Sequence, residues 1–436
     1  MEKLKKGDCF ANITITDEKG KEEEIFYGIV EKAEIFTVGG LKKITLCLAG
    51  STKLLDCMER NRTFQDRNMT YDSLLGKAEK ENGAKHLMRV GREEITKDII
   101  VQYKETNWQF IKRMASRLGS FVMPYFKGGG IRYYIGLDIT AKAKDIHVME
   151  YSMVHDMEEY LYKKKNKVEE ISEKDAISYI VKTRDYFDLG DSIQFCGRIW
   201  YIYNSKTTLD GSELVHIYQL RSKGGFCQVK KYNTQLIGAS LEGHILDVKT
   251  DKVKVCMNVD GTQDIGTAKW FFYSTVYSSP DGSGWYCMPE KNDRVRLYFP
   301  TEKEEEGYII SSIHVSGSIS GSGSSGGTSS GSSNAPRTNP DNKSIMNKYN
   351  KQLELTPTSI TMTNNNGMTI KLDDEEGIFI ISDKDVVIEA EENLAIASVT
   401  ESLSVEAKES IEMIQGDTQI TMKEEIVVEG AEVKIQ

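Results

Sequence analysis

The stretch "DKDVVIEAEENLAIASVTESLSVEAKESIEMIQ", residues 383–415, restricts the fold more than any other part of the chain. Its apolar residues alternate as in a β-strand, acids interrupt it every few positions, and neither Gly nor Pro occurs in it. The pattern extends through the tail as doublets of the form apolar-x-apolar: Ile360/Met362, Ile370/Leu372, Ile378/Ile380, Val386/Ile388, Leu394/Ile396, Leu403/Val405, Ile411/Met413, Ile420/Met422, Ile426/Val428 and Val433/Ile435. Their first members mostly lie eight or nine residues apart, a period that is not helical and reads as too short for hairpins with ordinary turns. Each doublet turns only two side chains inward, so one chain stacking such strands has a thin core and open edges. Three identical chains wound together remove both defects. The expectation is a stiff acidic β-prism with Ile370, Leu372, Ile378, Ile380, Val386, Ile388, Leu394, Ile396, Leu403, Val405, Ile411, Met413, Ile420, Met422, Ile426 and Val428 along its axis. At one strand spacing per repeat its length is about 50 Å. A single-chain β-helix, a disordered tail and a polymer-forming segment are the alternatives.

Charge supports a separate tail. Residues 350–436 hold 19 acidic and 6 basic side chains, a net of −13, against −10 for the whole chain. The rest is therefore about +3, and nothing in this balance suggests nucleic-acid binding. Seven cysteines without a CxxC spacing read as reduced, packed thiols. The N-terminus lacks an apolar signal segment, and no run of 18 apolar residues spans a membrane. The expectation is a chain made in the cytoplasm and exported by another route.

"SGSISGSGSSGGTSSGSS", residues 316–333, reads as a flexible tether. Before it the chain is mainly β with minor α. "EEIFYGIVEKAEIF" and "LKKITLCLAG" alternate as paired strands, and "NMTYDSLLGKAEKENG" is helical up to Gly83. "ETNWQFIKRMASRLGS" is a helix capped at Thr106 or Asn107 and closed at Gly119, with Trp108, Ile111, Met114, Ala115 and Leu118 on one face. From about Asn233, strand signals describe a small barrel of five or six strands.

Several stretches resemble the VgrG-like spike proteins of contractile injection systems, a family that includes phage tail spike-hubs. "FYGIVEKAEI" and "STKLLDCMERNRTFQDRNMTYDSLL" are similar to the first hub barrel, "ETNWQFIKRMASRLG" to the hub helix, and "YFDLGDSI" to the start of the second barrel. "WYCMPEKNDRVRLYFPTEKEEEGYIISSIH" resembles the OB-fold that carries the spike, with "MP…DRVRLYFP" the most specific run. The resemblance implies tandem hub β-barrels at 1–96 and 185–232 with an α/β insert at 97–184. An OB-fold follows at 233–315, a linker at 316–347, and a triple-stranded intertwined β-helix at 348–436. It implies a homotrimer whose partners are an Hcp-like tail-tube protein, baseplate proteins, a PAAR-type tip protein on Val433, Ile435 and Gln436, effector cargo and, transiently, the target membrane. The chain departs from longer relatives in its short needle, its tether and the lack of a fused effector after Gln436.

Catalytic patterns are missing from the body of the chain: no GxxxxGK[ST] or HExxH occurs, GxSxG falls only within the Ser/Gly tether at 323–331, and the six histidines lack metal-ligand spacing. No cofactor, metal or catalytic residue is expected. His155 beside Asp156 and Glu158 reads as helical surface, Glu290 and Asp293 as chance neighbours, the GGG at 128–130 as a turn, and "KKKNK" at 163–167 as a solvated loop. Trp285 and Tyr286 read as barrel core or rim. The competing functions are a baseplate enzyme such as a peptidoglycan hydrolase, with its site in 97–185, and a trimeric tail-fibre adhesin.

Overall fold

From Ile99 to Tyr103 the chain alternates between two hydrophobic cores, as a strand of period two must when both its faces are covered. In the computed structural model Ile100 packs into a core with the helices α1 (Tyr71–Glu79) and α2 (Asn107–Arg117). Ile99, Val101 and Tyr103 enter the core of a five-stranded sheet formed almost 150 residues later by Ser240–Lys249, Lys252–Met257, Trp270–Phe272, Arg294–Tyr298 and Tyr308–Ile313. The structure describes residues 10–16, 20–168, 171–279, 286–313, 339, 341–422 and 426–429. It divides into two units, 1–318 and 319–436.

In the first unit α2 follows its sequence signals. Thr106 caps it in a reciprocal box with Gln109, and Phe110, Ile111, Met114 and Ala115 are fully buried. Trp108 and Leu118 pack on the same core, and Gly119 leaves the helix at positive φ. The expected strand pair is present as Glu22–Val38 and Leu41–Gly50, flanked by Phe10–Thr16. The three glycines 128–130 all take positive φ and form a turn before the strand Arg132–Ile135. This turn fastens the hairpin sheet: the Gly128 N–H donates to Glu24 and the Ser51 hydroxyl to the Gly130 carbonyl.

The next sheet has six strands, and it recruits Lys144–Asp145, Val148–His155 and Ile177–Thr183, stretches that the sequence reading gave to an insert. The chain between Val148 and Ile177 includes α3 (Met157–Lys165). His155 ends a strand and Asp156 caps α3, so neither lies on a helical surface as expected. Lys163–Lys165 also fall in α3 rather than a loop. Lys163 is buried, its ammonium held by the Glu159 carboxylate at 2.7 Å and the Gly225 carbonyl at 2.9 Å. A lysine in the last helical turn faces partial negative charge, and its aliphatic stem can be covered.

The five-stranded sheet closes on itself through a bridge between Tyr273 and Ile309. Buried charge joins it to α2. Arg113 donates through Nε and Nη2 to Glu105 at 2.8 and 2.7 Å, through Nη2 to the Val101 carbonyl, and through Nη1 to Glu304 at 2.8 Å. Arg117 donates to the other Glu304 oxygen. Burial works against the Glu304 charge, but Arg117 and Arg113 outweigh it and hold the carboxyl below its ordinary 4.5.

Replacing one member of a buried pair leaves an uncompensated charge, so Glu304→Gln is expected to cost about 3 kcal/mol in denaturant unfolding. A depressed carboxyl stabilises above its unfolded value and loses that contribution as pH falls through the folded one. The gap between wild type and E304Q therefore narrows below pH 4.5, which unfolding curves across pH check.

Candidate assembly interface

In the second unit, strands Lys343–Met346, Gln352–Leu355, Ser359–Thr363, Thr369–Asp373 and Gly377–Ile381 form an antiparallel meander. Its register aligns the doublets in two ladders. Ile345, Leu353, Met362, Ile370 and Ile380 stand opposite one another in turn, as do Leu355, Ile360, Leu372 and Ile378. Sequence reading began the repeat at Ile360 and missed Ile345, Leu353 and Leu355. Leu353/Leu355 fits the same doublet pattern, and only Ile345, next to Met346 and without a doublet partner, needs the cross-strand register to reveal it.

The apolar face is the bare one. Ile360, Met362, Ile370, Leu372, Ile378 and Ile380 are exposed, while Thr361, Thr363, Thr369, Lys371 and Asp373 on the other face are half-buried. On that face Lys371, bonded to Asp373 at 2.8 Å, and the turn N–H groups of Glu375 and Glu376 hold Asp373 down at about 2.

The repeat was read as too short for hairpins, and here that is corrected. Five-residue strands joined by turns at 364–368 and 374–376 fit the same spacing. Positive φ at Gly367 and Gly377 makes these turns. A third hairpin, Ile411–Gln415 with Thr418–Met422, turns at Gly416, also at positive φ, and Ile426–Glu429 adds a strand to it.

Between the hairpins the chain behaves differently. Residues 384–410 form no helix, no strand ladder and no backbone–backbone hydrogen bond. Bends fall at 383–384, 391–392, 399–401 and 408–409, one before each doublet and one after the last. Val386, Ile388, Leu394, Ile396, Leu403 and Val405 are all exposed. Ile411, Met413, Ile420, Met422 and Ile426 lie on the closing hairpin strands. Val428 is placed on a strand, but its side chain lies outside the described residues, as do Val433, Ile435 and Gln436.

The other sequence candidates find local partners. Asp293 accepts from the Glu290 N–H across a turn. Tyr286 is exposed and donates to the Thr250 carbonyl, a rim position, while Trp285 and His314 lie outside the described residues. Sequence reading passed over a buried cluster in which His86 Nδ1 meets Glu79 at 2.8 Å, His86 Nε2 meets Asp72 at 3.3 Å, and the Tyr133 hydroxyl donates to Glu79. Burial opposes protonation of His86, but the bonds to Glu79 and Asp72 outweigh it and raise its pKa. The cluster fastens α1 to the neighbouring sheet. Among the described residues no group of three or more His, Cys, Asp or Glu has metal-binding geometry.

No protein-family model and no curated protein matches the sequence. Solved structures do. A chain of the Francisella PdpA-VgrG complex, half-lidded, superposes with a TM-score of 0.50 at 9% identity, over 85% of this chain and 77% of that one. The fold is VgrG-like. The tail protein from Neisseria meningitidis MC58 matches at a TM-score of 0.38 and 10% identity, over 47% of this chain and 82% of that one. A 43 kDa tail protein of prophage MuSo2 from Shewanella oneidensis gives 0.37 and 12%, over 48% and 80%.

Gly367→Ala is expected to destabilise the meander by about 1–2 kcal/mol, because φ is +90° and a Cβ there would lie 2.4 Å from the Asp383 carboxyl carbon. Hydrogen exchange in residues 359–381 should quicken while the first unit is unchanged.

Proposed function

We propose that this chain is a structural, non-enzymatic spike-hub of a contractile injection apparatus, working as a homotrimer. One observation carries the reading: residues 384–410 hold three apolar doublets in register with bends, yet the described residues offer them neither backbone partner nor cover. Two further copies supply both. Each buried Ile, Leu or Val then contributes roughly 1.5–3 kcal/mol relative to exposure, and open edges become pairs.

The first unit serves as the hub. Its sheets would seat against an Hcp-like tube and baseplate proteins, and the closed five-stranded sheet would join hub to needle. The buried Arg113–Glu304 contact keeps that sheet from yielding when the needle is loaded. A PAAR-type tip protein is the expected partner of Val433, Ile435 and Gln436, and effectors travel with the assembly. Sheath contraction drives it through the target membrane. The chain is made in the cytoplasm and leaves with the particle. The VgrG-like fold supports this structural role over a baseplate hydrolase, and the hub sheets support it over a tail-fibre adhesin.

Mass determination of the full-length protein in solution is expected to give three copies, and a stable monomer would refute the reading. Ile396→Asp places three carboxylates on the axis and is expected to dissociate the trimer while the first unit keeps its unfolding transition. Loss of both together would contradict a needle assembled apart from the hub.

A further inference from the structure

Two features of the first unit lack a counterpart within the chain. One is the outer half of the hairpin formed by Glu22–Val38 and Leu41–Gly50. Its pairing runs unbroken from Ala33 opposite Leu46 to Val38 opposite Leu41, closed by Gly39 and Gly40 at positive φ. Ile35, Phe36, Val38, Leu41, Ile44 and Leu46 are all exposed, so both faces of this arm are apolar and bare. Lys42 and Lys43 beside the tip make no ion pair among the described residues. A two-stranded ribbon in water is marginal by itself.

The other feature is a groove of about 800 Å³ at the base of the same sheet. Phe26, Tyr125, Phe126, Tyr134 and Tyr186 line it, and so do Asp138, bonded to Thr140 and Ala141 in its own turn, and Arg89, whose charge favours the Asp138 carboxylate. Two strands that border it are paired on one side only. Among the described residues Phe10–Thr16 pairs with the Glu22 strand alone, and Thr207–Leu209 pair with the Glu213–Arg221 strand alone. The groove therefore offers aromatic surface, a carboxylate and unused strand edges, the elements that receive an added strand.

The arm cannot fill the groove of its own chain. Phe26 lines the groove and Gly39 is the tip, so 13 residues of continuous strand separate them, about 40 Å at 3.3 Å per residue. We infer that the arm of one copy docks in the groove of the next. The tip's Val38 and Leu41 meet the aromatic surface, and Lys42 or Lys43 faces Asp138. This rests on the trimeric reading above and specifies how the hubs of that trimer interlock.

The test places p-benzoylphenylalanine at position 41 of the full-length protein, with two differently tagged copies co-expressed and irradiated. The expected product joins the two tags and maps to peptides 121–141 or 186–214. Crosslinks confined to one copy, or landing elsewhere on a second copy, overturn the inference. Adding Lys42→Glu with Lys43→Glu should lower the yield about fivefold, as rim charge reversal does, and an unchanged yield counts against it. Mass measured on the same sample separates the two ideas. Three copies with crosslinks elsewhere remove the arm contact alone, whereas a single copy removes the trimer as well.

Discussion

The joint between α2 and the five-stranded sheet is built on buried arginine–glutamate contacts. Arg113 reaches Glu105 on its own side and Glu304 across the boundary, 191 residues away. Ionised groups in a dry interior hold only where each charge is matched, so the geometry tolerates little displacement. The strand Ile100–Thr106 adds the apolar half of the same joint by giving alternate side chains to two cores. Gln65 and Thr63 extend it, the first donating to the Val255 carbonyl and the second bonded to Asp260. The α2 core and the five-stranded sheet thus share walls and charges.

The second unit follows another logic. Its meander satisfies its backbone within the chain but leaves its apolar face bare, whereas the run 384–410 satisfies neither. Side-chain burial and backbone pairing, usually achieved together, are here separated along one sequence. The hairpin segments register themselves, and among the described residues the run between them has no strand register.

Much of this was legible in the sequence. The doublets, the acidic tail, the capped helix at Thr106 and the strand pair at Glu22–Gly50 all depend on local periodicity and capping, which the chain displays directly. The bends at eight-residue spacing were legible for the same reason. What escaped was set by distance. Nothing near Arg113 announces Glu304, and nothing near His86 announces the Tyr133 that shares its carboxylate. Lys163 looked solvated because "KKKNK" is polar, yet helix position and the Gly225 carbonyl bury it. Hairpins in the meander were missed because spacing was weighed and the glycines at 367 and 377 were not.

Those glycines have a wider consequence. The run without Gly or Pro contains no position that demands a special residue, and each eight- or nine-residue unit differs from the next only in which aliphatic and acidic side chains it uses. Such a segment is counted rather than shaped. Units can be gained or lost by in-frame duplication without disturbing the hairpins at either end, so the length of this segment is free to drift while its ends stay the same.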